Sequence, residues 1–179
     1  VRITNDDLDA LSLIPAVAET SPLGEFAGEI HRGDAVGLVI SRIVEPNYFR
    51  LSGEVPNVGR TLQEGDEGII VSNSVLKLTG LLVEEAPALP DASNGDATPS
   101  ASQQLDTEQY KKFLGETLQF TIFIHDQNDI VTDIIELPKP LPIQGIVVDE
   151  LQPPFAFIPR HLIPQPLPFY SKVIVKAED

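Results

Sequence analysis

Residues 118–137, LQFTIFIHDQNDIVTDIIEL, carry the clearest structural signal in the chain. β-Branched and aromatic residues dominate 118–124, which is typical of a strand. The polar run 125–129 is rich in Asp and Asn, residues that favour tight turns, and 130–137 returns as a second strand. This stretch therefore predicts a β-hairpin.

The N-terminal half predicts two further hairpins. Residues 35–44 form a strand, and after a Pro-containing turn 48–53 forms its return strand. The second hairpin pairs 68–71 with 75–83 around a Ser-Asn-Ser turn. Strands at these spacings are typical of small barrels or sandwiches.

Two short helices are expected beside the strands. Asn5 and the acidic residues after it are suited to cap a helix through Val17, which Pro15 limits. An extended arm is the alternative for this stretch. Residues 107–115 predict the second helix, whose end is marked by Gly115.

A stretch with almost no large apolar residues separates the two halves. Residues 85–106 are rich in Ala, Ser, Pro and Asp, and they cannot bury enough surface to offset the entropy of ordering. We therefore expect a flexible loop or linker between an N-terminal β region, 1–84, and a C-terminal β region, 107–179. One continuous domain, 1–179, is the alternative.

The C-terminal quarter is dense in proline. Because proline cannot donate a hydrogen bond to a β ladder, it confines the strands here to short pieces, predicted at 143–148, 155–158 and 172–176. The fold class predicted for the whole chain is all-β with minor helix. Its form is an antiparallel sandwich or small barrel-like domain with a long loop and an extended Pro-rich C-terminal arm.

Composition excludes several classes of function. The 179 residues include 12 Lys and Arg against 27 Asp and Glu, which gives a net charge of −15. This charge argues against nucleic acid and anionic membrane surfaces as partners, since both attract cationic proteins. Cysteine is absent, so disulfides and thiolate chemistry are excluded within this sequence. No apolar run approaches the roughly 18 residues of a membrane span.

The most unusual feature is the arm 152–170, in which prolines alternate with large apolar residues. Such a segment is already extended and loses little entropy on docking. We expect its apolar side chains to be covered either by their own domain or by a partner, which is another copy of the chain or a different protein. The predicted interface anchors are Phe155, Phe157, Ile158, Leu162, Ile163, Leu167, Phe169 and Tyr170.

The function predicted from this arm is a non-enzymatic structural subunit of a larger, homomeric assembly, such as a virion, an appendage or a surface layer. Its subunits would be joined by strand addition and arm exchange. An extracellular or virion location goes with this interpretation. No cofactor is expected.

Two alternatives remain open. The first is a cation- or ligand-binding β module that holds calcium through the acidic turn, with Asp126, Asn128, Asp129 and Asp133 as ligands. The sequence favours a polar hairpin turn over a calcium site here, because Asp and Asn stabilise such turns through their own side-chain hydrogen bonds. The second alternative is a carboxylate-based hydrolase, although no nucleophile elbow, phosphate loop or His-Glu-x-x-His motif is present.

Overall fold

A computed structural model describes residues 2–83 and 107–179. Within these residues, nine strands belong to one mixed sheet. The loop predicted at 85–106 lies outside the described residues and stays a prediction.

The strands are numbered in chain order within the described part of the chain. Their bounds are β1 Val17–Arg32, β2 Ala35–Val44, β3 Val58–Gly59, β4 Ile69–Ser72, β5 Thr117–His125, β6 Val131–Glu136, β7 Leu141–Val147, β8 Phe155–Pro159 and β9 Lys172–Ala177. The α-helices are α1 Asn5–Ser12, α2 Tyr48–Ser52 and α3 Asn73–Leu78, and 3₁₀ helices span Thr107–Phe113 and Arg160–Leu162.

Six of the strands close into a ring. Successive pairings run from β1 to β2, β8, β4, β7, β5 and back to β1, while β3, β6 and β9 are attached outside this circuit. The all-β fold class with minor helix is confirmed, in barrel-like form. The sheet is not wholly antiparallel, because β2 pairs with β8 and β4 with β7 in parallel. These partners are distant in sequence, so no tight turn dictates their direction.

The ring interleaves strands from both sides of the undescribed segment. β8 lies between β2 and β4, and β4 lies between β8 and β7. The described residues before 84 and after 106 therefore share one sheet. How the chain divides into domains stays a prediction.

Alternating side chains sort the ring strands between two apolar clusters. In β8, Ala156 and Ile158 join the main core, to which all six ring strands contribute. Phe155 and Phe157 point to the opposite face and join a second cluster with residues of α2. The main core therefore fills the ring, and the second cluster lies outside it.

The return strand predicted at 48–53 is wrong, because this stretch forms α2. The Leu51 amide donates to the Asn47 carbonyl, and Gly53 ends the helix with a φ of +74°. Tyr48 and Phe49 are buried in the second cluster, with their rings edge to face at 5.3 Å. Aromatic residues favour strands, but here the packing of two adjacent rings decides the local structure.

The hairpin predicted at 68–83 is also wrong. Its first strand is present as β4, but the chain then turns into α3 rather than into a second strand. Val75, Leu76 and Thr79 are buried, at a spacing that fits one helix face. The Thr79 hydroxyl donates to the Val75 carbonyl at 2.8 Å, which satisfies that polar group inside the core.

The N-terminal helix is shorter than predicted and the strand after it is longer. α1 begins with a capping box formed by Thr4 and Asp7 and ends at Ser12, before Pro15. The chain then forms β1, which pairs with β2, β5 and β9 and which the sequence did not indicate. The second predicted helix is present in 3₁₀ form over Thr107–Phe113.

Asp66 ties the connection between β3 and β4 to the ring. Its carboxylate accepts hydrogen bonds from Arg60 at 2.7 and 3.1 Å, from the Gln63 amide at 2.8 Å and from Gln144 of β7 at 2.8 Å. The Arg60 guanidinium, helped by the other two donors, holds the pKa of Asp66 well below its usual range. The folded state therefore favours the ionised carboxylate.

We expect Asp66→Asn to lower the free energy of unfolding by about 1.5–3 kcal/mol at neutral pH, the contribution of a hydrogen bond to a charged group. Because the folded pKa is depressed, the contribution is complete above the unfolded pKa of about 4 and is lost as the pH falls through the folded pKa. Urea titrations at several pH values measure this. Asp34→Asn, at the exposed β1–β2 turn, is the control. A loss independent of pH would contradict the prediction.

Candidate functional site

The predicted interface anchors are mostly covered by their own domain. Leu162 and Phe169 are half-buried. The other six are buried: Phe155, Phe157, Ile158, Ile163, Leu167 and Tyr170. The apolar arm therefore needs no second molecule to remove it from water. Whether any of these residues contacts a partner stays a prediction.

The arm is fixed along its length by residues distant in sequence. Ile163, Leu167 and Tyr170 belong to the main core. The Tyr170 amide and carbonyl both hydrogen-bond to Ile3, at 2.7 and 2.8 Å. Phe169 lies 5.1 Å from the ring of Phe26. The arm thus packs against the barrel as one of its covering layers.

The acidic turn uses its carboxylates for its own hydrogen bonds. Asp126 accepts from the amides of Asn128 at 2.7 Å and Ile130 at 3.0 Å, and these bonds lower the pKa of Asp126. Asp129 adopts a φ of +59°. Asp133 accepts from Gln165 at 2.7 Å.

Across the described residues, no group of three or more His, Cys, Asp or Glu is arranged to hold a metal ion. The structure brings Asp126, Asn128 and Asp129 into one turn but directs Asp133 to the arm. The calcium site stays a prediction.

A cleft on the outer side of the second cluster has the features of a binding site. It encloses about 450 Å³, within the range of roughly 300–1,000 Å³ usual for ligand sites. β1, β2, the segment after α2, the end of β7 and the start of β9 all contribute to its wall. The lining residues are Leu23, Glu25, Arg42, Tyr48, Glu54, Val55, Val147, Gln152, Phe155 and Lys172.

Arg42 is the central polar residue of this cleft. Its guanidinium carbon lies 4.2 Å from the centre of the Phe155 ring and 5.5 Å from that of Phe157. One terminal nitrogen donates to the Gln152 side chain at 2.8 Å. Stacking on aromatic faces is favourable for a guanidinium and leaves its edge free for hydrogen bonds. We refer to this site as the Arg42 cleft.

Tyr48 and Glu54 form a polar pair in the same wall. The Tyr48 hydroxyl donates to the Glu54 carboxylate at 3.0 Å. Burial, reinforced by the negative charge of Glu54, raises the pKa of the Tyr48 hydroxyl well above its usual value. The hydroxyl therefore stays protonated at physiological pH and keeps donating to Glu54.

Of the residues that line this cleft, sequence reasoning singled out only Phe155, which it predicted to be an anchor of a protein–protein interface. The signal it missed is Arg42, a cation in the middle of the apolar strand AVGLVISRIV, 35–44. An internal charge in such a strand indicates a specific environment, because charges are rarely buried without a partner. The remaining lining residues come from separate elements that no local pattern connects.

No protein-family profile matches the chain, and no curated protein matches it in sequence. The fold resembles the extracellular domain of the noncanonic ABC-type transporter YknZ from Gram-positive bacteria. That match has 12% identity and a TM-score of 0.57, and it covers 99% of this chain and 74% of the other. It also resembles the periplasmic region of MacB from Actinobacillus actinomycetemcomitans. This match has 15% identity and a TM-score of 0.56, and it covers 100% of this chain and 67% of the other.

These comparisons establish the fold and correct the predicted function. The prediction of a homomeric structural subunit of a virion, appendage or surface layer is wrong, because the similar structures are the extracellular domain of an ABC-type transporter and the periplasmic region of MacB. The covered arm removes the physical reason for that prediction. Over residues 2–83 and 107–179, no helix has the length and apolarity to cross a bilayer.

Proposed function

We propose that this chain is an extracytoplasmic domain of an ABC-type transporter component and that it acts by binding another molecule. The similarity of its fold, over nearly its whole length, to the extracellular domain of an ABC-type transporter and to the periplasmic region of MacB carries this proposal. One of those domains is extracellular and the other periplasmic. The shared fold therefore occurs on the outer side of the membrane in both.

A binding role is favoured over catalysis. The two similar structures described above are the extracellular domain of an ABC-type transporter and a periplasmic region. The Arg42 cleft brings four apolar residues together with converging polar and charged side chains, and such convergent polar groups are typical of a recognition site. Its Tyr48 hydroxyl is held protonated and is therefore poorly suited to act as a base near neutral pH.

The absence of cysteine from the chain makes a labelling experiment direct. We expect Asp34→Cys, in the exposed β1–β2 turn, to react with a small membrane-impermeant maleimide when the full-length protein is expressed in intact cells of its host. Asp34 is exposed, so a cysteine at this position is accessible to the reagent. Mass spectrometry of the purified protein measures the labelled fraction.

Ser41→Cys is the matched control, because Ser41 is fully buried in β2 and its replacement should react only after denaturation. The unsubstituted protein sets the background. Labelling of Asp34→Cys only after the cells are lysed would place the domain on the cytoplasmic side and overturn the proposal.

A further inference from the structure

We infer that the Arg42 cleft binds a carboxylate carried on an apolar body, such as an acidic side chain within an apolar peptide segment. This inference rests on the proposed binding function and names the chemistry that the cleft recognises. Four observations support it: the fixed orientation of Arg42, its lack of a direct ion pair, a second cation in the wall and the apolar surface beside it.

Arg42 is oriented before any ligand arrives. The rings of Phe155 and Phe157 fix the plane of its guanidinium, and Gln152 fixes the rotation through one hydrogen bond of 2.8 Å. A planar guanidinium presents paired donors that match the two oxygens of a carboxylate. Because the side chain is already ordered, binding costs little further conformational entropy.

Arg42 makes no direct ion pair with a described carboxylate, although Asp149, which accepts from Gln152 at 2.7 Å, is near enough for the charge of Arg42 to help lower its pKa. Glu25 stands directly opposite Arg42 in the β1–β2 register. Even so, no carboxylate among the described residues lies within ion-pair distance of Arg42, whose guanidinium turns toward Phe155. Arg60, by contrast, makes a bidentate ion pair with Asp66.

A second cation and two acidic residues line the cleft beside Arg42. Lys172, at the start of β9, also lines it and makes no ion pair with any described residue. Of the two acids in the lining, Glu54 accepts the Tyr48 hydrogen bond, whereas Glu25 is exposed at the rim. Glu25 and Glu54 balance the formal charges of Arg42 and Lys172, but because neither cation forms an ion pair with a described residue, both can pair with an anionic ligand.

Apolar surface next to the cations selects the body of the ligand. Leu23 and Phe155 line the cleft but are each only 2% exposed, so the accessible apolar surface belongs to Val147 and to Val55, which is 73% exposed on the rim. Burying such a side chain against a ligand is favourable, because it removes apolar surface from water. A ligand with an aliphatic group beside its carboxylate fits both parts of the site.

Titration of isotope-labelled protein with three probes, followed by NMR, tests the inference. Acetyl-Leu-Glu-amide has one charge, its side-chain carboxylate. Acetyl-Leu-Gln-amide has nearly the same shape without that charge, and isovalerate is a small branched carboxylate. We expect saturable shifts at the Arg42 Nε–H and at the amides of Val55, Val147 and Phe155 with acetyl-Leu-Glu-amide, and none with its Gln counterpart.

Arg42→Lys should weaken this binding about tenfold, because an ammonium keeps the charge but loses the paired donors. Arg50→Lys is the matched control, because Arg50 is already paired with Glu19 outside the cleft, and its affinity should be unchanged. Glu25→Gln should tighten binding by removing a repulsive charge. Spectra of each variant without probe establish that it is folded.

The probes also separate the possible sources of the carboxylate. Binding of the peptide alone would support a polypeptide ligand, and equal binding of isovalerate would support a small organic acid. Equal shifts with the Gln peptide, unchanged affinity in Arg42→Lys or the absence of any saturable shift would overturn the inference. None of these results alters the maleimide labelling that tests the extracytoplasmic location.

Discussion

Replacing Phe157 by alanine is expected to lower the free energy of unfolding by about 3–5 kcal/mol, the range for a large buried aromatic residue. Phe157 is 1% exposed. Its ring contacts those of Tyr48, Phe49 and Phe155, with centroids 5.5, 5.1 and 5.7 Å away. Tyr48 and Phe49 lie on α2 and Phe155 on β8, and these two elements cannot collapse together to fill the cavity. Urea denaturation at equilibrium measures the loss.

The same variant decides between a core and an interface role for Phe157. If it is part of the core, stability falls and the oligomeric state is unchanged. If it is an interface anchor, light scattering should show altered association with little change in unfolding. Phe169→Ala is the matched control. Because Phe169 is half-buried in the arm, its replacement should lower the free energy of unfolding by less than that of Phe157. Equal losses in both variants would contradict the assignment of Phe157 to the second cluster.

The elements that sequence reasoning predicts well are those whose local pattern and burial agree. The hairpin at 118–137 is present as β5 and β6, and the strand at 35–44 is present as β2. In β5, buried and half-buried residues alternate without interruption. Such strands are specified by neighbouring residues, so one sequence is enough to find them.

The elements that it misses depend on contacts distant in sequence. β1 contains Glu19, Ser21 and Gly24, which obscure any strand pattern, yet it pairs with three other strands. Its Gly28 passes so close to β5 that an added Cβ would lie 2.5 Å from the Thr121 carbonyl. Ring closure likewise joins β5 to β7 and β2 to β8, pairings that local propensity does not determine.

The Arg42 cleft was beyond local reasoning for a related reason. Its lining comes from positions between 23 and 172, which only the finished barrel brings together. From its sequence, the proline-rich arm could be covered by a partner or by its own domain. Its residues do not show how much of the domain's apolar surface is available to cover it. An apolar segment indicates burial, but it does not indicate which surface provides that burial.

Gly59→Ala is expected to lower the free energy of unfolding by about 2–5 kcal/mol, because two separate costs add. Gly59 has a φ of +80°, a left-handed conformation that costs a residue with a Cβ about 1–2 kcal/mol. An added Cβ would also lie 2.1 Å from the Gln144 carbonyl oxygen. Because that atom is backbone in β7, relief requires separating β3 from the ring, at about 1–3 kcal/mol.

Gly53→Ala isolates the first of these costs. Gly53 has a φ of +74° at the end of α2, but a Cβ added there would meet no atom within 4 Å. We therefore expect Gly53→Ala to lose only about 1–2 kcal/mol, with the difference between the variants measuring the clash with Gln144. Urea denaturation of both proteins gives that difference directly. Equal losses would mean that β3 moves away from β7 at no cost. β3 would then contribute nothing to holding the β3–β4 connection in place.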